Sequence, residues 1–134
     1  MAVVLDSDAV IGFLDTRDAL HGAADAALRE LFHEEHLLVS VVTYAEVLTG
    51  VRLGHHDEED VQGFFTNLIS LVLDVDIAIA DRAAELRAAS RRLRMPDALI
   101  LATAETNPEV RLVVTGDMGS EKVPGFRRPI RLLR

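Results

Sequence analysis

The chain of 134 residues contains no cysteine. That excludes a disulfide framework, a zinc–thiolate site and a cysteine nucleophile, and it is consistent with a reducing cytosol. It also lacks any apolar run near the roughly 20 residues needed to span a bilayer. The N-terminus has no basic lead, and the apolar stretch Ala2–Leu5 meets Asp6 and Asp8 almost at once. No secretory signal is expected there, and the expectation is a soluble, cytoplasmic protein with no membrane partner. Repeats, linkers and low-complexity segments are missing as well, so nothing divides the chain.

What is present suits one compact domain over residues 1–134, because 49% of the residues are apolar and a core can be buried without staples. The formal net charge of −8 argues at first against a nucleic-acid partner, since phosphate backbones are bound mainly through Lys and Arg. The charge is unevenly spread, however. Residues 1–81 carry a net −13, whereas residues 82–134 carry +5, with Arg91, Arg92, Arg94, Arg127, Arg128, Arg131 and Arg134 among ten arginines. Arginine makes the better bidentate phosphate contact, although any one of these fits a solvated helix face or tail.

Short apolar runs alternate with helical periodicity. Ala2–Leu5, Leu37–Ser40, Leu71–Leu73 and Arg111–Thr115 read as buried strands, and Pro129–Leu133 as a short last one. Helices are expected over Ala9–Leu14, Ala19–Glu35, Thr43–Leu53, Asp57–Asn67, from an Asp76 cap to Leu93, and over Asp97–Thr106 with Pro96 in its first turn. This order predicts an α/β fold, a three-layer sandwich with a mostly parallel central sheet of four to five strands flanked by helices. In such sheets ligands bind beyond the carboxyl ends of the strands.

Four acids fall at that edge on paper. Asp6 ends the first strand, Asp117 lies just past the fourth, and Glu46 and Asp97 sit in first turns of helices, where the dipole favours ionised carboxylates. Packed together they repel, and a divalent cation removes the conflict. An oxygen-only donor set suits magnesium or manganese better than zinc. Such an ion activates water and neutralises a phosphodiester, so an acidic site can cut an acidic polymer. Each acid also has a plainer reading. Thr43-x-x-Glu46 spells a capping box, Asp97 is a first-turn acid, and Thr115-Gly116-Asp117 suits a turn. Asp6 is hardest to dismiss, because a carboxylate ending a buried strand is costly unless paired, capped or metal-bound.

The segments carrying these acids resemble one family. Leu5-Asp6-Ser7-Asp8-Ala9-Val10-Ile11, Thr43-Tyr44-Ala45-Glu46-Val47-Leu48-Thr49-Gly50-Val51, Met95-Pro96-Asp97-Ala98-Leu99-Ile100-Leu101-Ala102-Thr103-Ala104, and Val113-Val114-Thr115-Gly116-Asp117 with Val123-Pro124-Gly125 are similar, in order, to motifs of the PIN domain, and more narrowly of its VapC-type toxins. The resemblance implies metal-dependent endonucleolytic cleavage of RNA, transfer or ribosomal, by the toxin of a toxin–antitoxin pair. It implies Asp6, Asp97 and Asp117 as ligands of Mg2+ (or Mn2+), with Glu46 holding a water on the metal or a second ion. It further implies a homodimer and a cognate VapB-like antitoxin that covers the pocket. Asp8 is either a fifth ligand or, like Ser7, a polar cap on the first helix, and Thr115 is placed to orient Asp117 by a hydrogen bond. The loop Met118–Glu121 lacks the aromatic residue that relatives often carry. The five histidines are scattered, with His55-His56 suiting a solvated turn; Phe64, Phe65 and Phe126 suit the core or a dimer face.

Two rivals come from other classes. Val3-Val4-Leu5-Asp6-Ser7-Asp8 and Gly116-Asp117 also resemble a haloacid-dehalogenase-like phosphatase, in which Asp6 would be phosphorylated. Its chemistry uses a lysine, the only one here is Lys122, and Glu46 and Asp97 are left without a role. The other rival is a non-catalytic PIN-like binding module, against which the intact acids count.

Overall fold

A computed structural model describes residues 1–134, apart from the side chains of Met118 and Glu121. The five strands, β1 (Ala2–Leu5), β2 (His36–Ser40), β3 (Ile69–Leu73), β4 (Val110–Thr115) and β5 (Ile130–Leu132), form one sheet in the order β3-β2-β1-β4-β5. All four pairings are parallel, including that of β5 on β4. Six α-helices flank the sheet: α1 (Ser7–Leu14), α2 (His21–Glu34), α3 (Val41–Arg52), α4 (Glu58–Asn67), α5 (Ile77–Ala89) and α6 (Met95–Thr106). The expected three-layer α/β sandwich is therefore the observed one.

Strand alternation makes the layers. Val3 and Leu5 join Leu37, Val39, Leu112 and Val114 in a core shared with α1, α2, α3 and α4, while Ala2 and Val4 join Leu38, Val110 and Val113 in a second core under α5 and α6. β1 is fully buried along its length and lies at the centre, which is why its run is continuously apolar rather than alternating. The edge strand β3 instead exposes Ser70 and Leu71. Of the phenylalanines, Phe64 is in the first core with Phe65 packed against it, and Phe126 is half-buried on the second. Among the described residues no helix is long and apolar enough to cross a membrane.

Several boundaries differ from the sequence expectation, and each has a local cause. The first helix starts at Ser7 rather than Ala9, because Asp6 is its N-cap and accepts the Ser7 N–H. The third starts at Val41, because the Ser40 hydroxyl caps Val42 N–H directly from the strand end. This removes the Thr43-x-x-Glu46 capping box and puts Glu46 beyond the first turn. The fifth stops at Ala89, where Ser90 N–H turns back to Leu86 and Arg87 carbonyls, and Arg87 then closes the following turn on Arg91 and Leu93 carbonyls. The second helix begins only at His21, and β3 reaches back to Ile69 to pair with Leu37. Asp76 caps α5 as its position suggested, whereas Asp57, expected inside its helix, instead caps α4.

Glu105 of α6 binds Arg82 of α5 at 2.5 Å and accepts the Arg127 N–H at 2.9 Å. Arg128 bonds the carbonyls of Glu105 and Val110. These contacts fasten the segment that returns to β5.

Candidate active site

The strand order fixes where a cleft must open. From β1 the chain moves to β2 and β3 on one side, whereas β4 and β5 lie on the other. The reversal falls between β1 and β4, and in open α/β sheets the crevice forms beyond the carboxyl ends at such a point. A cleft of about 470 Å³ lies there, lined by Asp6, Ser7, Asp8, Ile11, Glu46, Arg94, Asp97 and Asp117. All four acids read as a set from the sequence line it, and so does Asp8.

Asp6 is 3% exposed. One carboxylate oxygen accepts the Ser7 N–H at 2.7 Å and the other accepts the Thr115 hydroxyl at 2.8 Å. Burial, with the neighbouring Asp8 charge second, outweighs these bonds and pushes its pKa up to about 7. Thr115 also accepts the Asp117 N–H at 3.0 Å. It therefore orients the Asp117 backbone as expected and ties it to Asp6.

Asp8 is not a helix cap. Its carboxylate accepts the Gly116 N–H at 3.0 Å, so it joins α1 to the end of β4, and burial raises its pKa. Glycine at 116 leaves room for this approach: a Cβ there would stand 2.2 Å from Leu20 Cδ1, which would have to turn away, and 3.3 Å from Asp8 Oδ2. Ser7 is not a cap either. Its hydroxyl donates to Glu46 Oε1 at 2.5 Å and lies 3.1 Å from the Thr43 hydroxyl, which is fully buried. No local signal in the chain marks this link between residues 39 positions apart.

Asp97, 8% exposed in the first turn of α6, is paired with Arg94 at 3.2 Å. Arg94 was legible only as one basic residue among many, yet it is the one cation lining the cleft among the described residues. Asp117 does the turn chemistry its motif suggested, accepting the Gly119 N–H at 2.9 Å and the Ser120 hydroxyl at 3.2 Å, and it lines the cleft too. The side chains of Met118 and Glu121 in that loop lie outside the described residues. His55 is exposed and His56 half-buried in a neighbouring cleft with Arg17, away from these acids except at Glu46.

Among the described residues no three acids or histidines already form a closed metal-ligand group. The cleft is thus an open array whose members are held by Arg94, Gly116 and the turn after Asp117. Its chemistry nonetheless fits a hard cation, because every acidic donor is oxygen and because Asp6 is buried with no positive partner of its own among the described residues. A phosphatase reading leaves Glu46 and Asp97 idle although both line the cleft.

The geometry was compared with known proteins. The sheet and helices superpose on VapBC2 from Rickettsia felis bound to a promoter DNA fragment, with a TM-score of 0.78 at 16% identity and complete coverage of both chains. They also match DNA-bound VapBC from Salmonella typhimurium, with a TM-score of 0.73 at 20% identity over 98% of this chain and 97% of that one. A third match is VapC20 from Mycobacterium tuberculosis, a toxin that cleaves the sarcin–ricin loop, with a TM-score of 0.63 at 14% identity over 83% and 86% of the two chains. No curated protein matches in sequence. The PIN domain family model covers residues 3–125, a span that takes in every residue lining the cleft, and on that ground the chain belongs to the PIN-domain family.

Proposed function

We propose that this protein is a metal-dependent endoribonuclease, the toxin of a VapBC-type toxin–antitoxin pair, which cuts structured RNA, transfer or ribosomal, and so stops translation in the cytoplasm. The observation that carries this reading is the cleft at the sheet's switch point, which Asp6, Glu46, Asp97 and Asp117 line from four separate segments of the chain. Membership of a nuclease family supports it, as does the shared fold with toxin–antitoxin complexes and with a toxin named for cleaving the sarcin–ricin loop. The same neighbours support an antitoxin partner, and assembly as a homodimer is part of the same proposal.

Asp6, Asp97 and Asp117 are the residues that would hold Mg2+ or Mn2+. Bound there, the ion supplies activation of water and neutralisation of charge on the scissile phosphodiester. The protein's own groups do the rest. Ser7 fixes Glu46 through Oε1, leaving Oε2 to orient the attacking water and take its proton. Thr115 holds Asp6 and the Asp117 backbone in register, and Asp8 holds Gly116 against α1.

The open array also favours a second reading, a binding module that cuts nothing. Asp97→Asn separates the two, because it removes a charge at nearly constant volume. Wild type and variant, freed of any antitoxin, are incubated with total RNA in Mg2+ or Mn2+, with and without chelator, and new ends are mapped by sequencing. Discrete ends that need both metal and Asp97 are expected. Cleavage by the variant at wild-type rate would refute the mechanism, and no cleavage by folded wild type would favour the binding module.

A further inference from the structure

Arg94 is badly suited to its place in α6. It is the N-cap residue, with extended backbone (φ −76, ψ 155) and no side-chain capping bond. Ser, Thr, Asp or Asn would satisfy the free N–H groups there, and a cation at a helix N-terminus opposes the helix dipole. Nor does Arg94 help the core, because its side chain is 73% exposed. Helix stability therefore does not account for it.

Its surroundings do. Arg94 contacts Asp97 through Nε, and among the described residues neither of its terminal amino groups has a hydrogen-bond acceptor. Asp97 holds its guanidinium charged, with Glu46 and Asp117 adding to the effect. Among the described residues the cleft's single cation thus touches one oxygen of a carboxylate through Nε while its two terminal donors remain free.

We propose that Arg94 serves two charges in turn: it neutralises Asp97 while the cleft is without metal, and it gives its guanidinium to a non-bridging phosphate oxygen of bound RNA once a cation takes Asp97. This assignment rests on the nuclease reading above. A planar guanidinium with both amino groups free suits a phosphate better than it suits one exposed carboxylate. The role makes two effects of opposite sign. Arg94 competes with the metal for Asp97 and cooperates with the RNA, so its loss tightens the one and weakens the other.

The variant Arg94→Ser tests this without endangering the fold, since serine is the better N-cap. Wild type and Arg94→Ser are titrated with Mn2+ by calorimetry. RNA affinity is measured on bulk transfer RNA across a salt series, in an Asp117→Asn background so that nothing is cut. Arg94→Ser is expected to bind Mn2+ roughly three- to tenfold more tightly, because one positive charge a few ångströms away has gone. It is expected to bind RNA about tenfold more weakly, with the salt slope reduced by about one contact, and Arg94→Lys should restore the slope but not the full affinity. Equal Mn2+ affinity in wild type and Arg94→Ser, or unchanged RNA binding, overturns the assignment while leaving the nuclease reading in place. No Mn2+ binding by either protein overturns both.

Discussion

Thr115 and Asp6 stand 109 positions apart in the chain and share a 2.8 Å hydrogen bond inside the sheet's central crevice. The bond has two consequences, since the hydroxyl that donates to Asp6 also accepts the Asp117 N–H. Thr115→Val keeps the shape and removes both. Cleavage should fall at least tenfold, with stability lower by about 1–2 kcal/mol, and Thr115→Ser should recover most of each. Rates on a mapped RNA site and urea unfolding of the same preparations check this. A valine variant as active as wild type would remove Thr115 from the site.

Asp6 gives a pH signature in the metal-free protein. Its folded pKa is raised by burial to about 7, above the ordinary 3.8. The folded form therefore holds the proton more tightly, and the contribution to stability falls as pH climbs from about 3.8 through about 7 and then levels off. Asp6→Asn should be more stable than wild type by about 1–3 kcal/mol at pH 8 in chelator, and the gap should close toward pH 5. Denaturant unfolding at both pH values decides it. The same substitution should abolish cleavage, so stability and activity move in opposite directions.

Ser7→Ala removes the hydroxyl that fixes Glu46. The carboxylate keeps its charge but loses its orientation, so kcat should fall roughly tenfold or more with little change in RNA binding. Single-turnover kinetics against binding in a non-cleaving background separate the two quantities. Equal losses in both would point to a packing role.

Glu105 should matter for stability alone. Burial pushes its pKa up, but hydrogen bonds from Arg82 and Arg127 outweigh that and leave it lowered from 4.5. Its stabilisation is therefore present above about pH 4.5 and lost as pH falls below it. Glu105→Gln should cost about 1–3 kcal/mol at neutral pH, less in acid, and leave the cleavage rate of the folded protein unchanged. Thermal and urea unfolding across the pH range test the sign.

The readable parts of this sequence were those whose signal is local. β1 and β4 show themselves as continuous apolar runs because both faces are covered, and Met95-Pro96-Asp97 announces a helix start through proline's fixed angle. Asp6, Asp97 and Asp117 could be inferred because each ends or follows such an element, whereas Glu46 lies deeper in α3 than its motif suggested. Helix starts were harder. Ser40 caps a helix that opens on two β-branched residues, Val41 and Val42, which reads as more strand. Ser7 with Glu46 and Asp8 with Gly116 were hidden for a different reason, since each joins segments that meet only after the sheet has closed. Arg94 was visible as a residue and invisible as a pocket wall, because nothing in its neighbours tells which way α6 is turned.

The order of strands in the sheet differs from their order of synthesis. The central strand β1 is made first, yet its partner β4 is complete only at Thr115, and Asp117 follows it. A growing chain that has emitted every element through α6 still lacks the residue that holds Asp6 and the loop that supplies the last acid. A fragment ending before Thr115 would therefore lack both the hydroxyl that holds Asp6 and the last acid that lines the cleft.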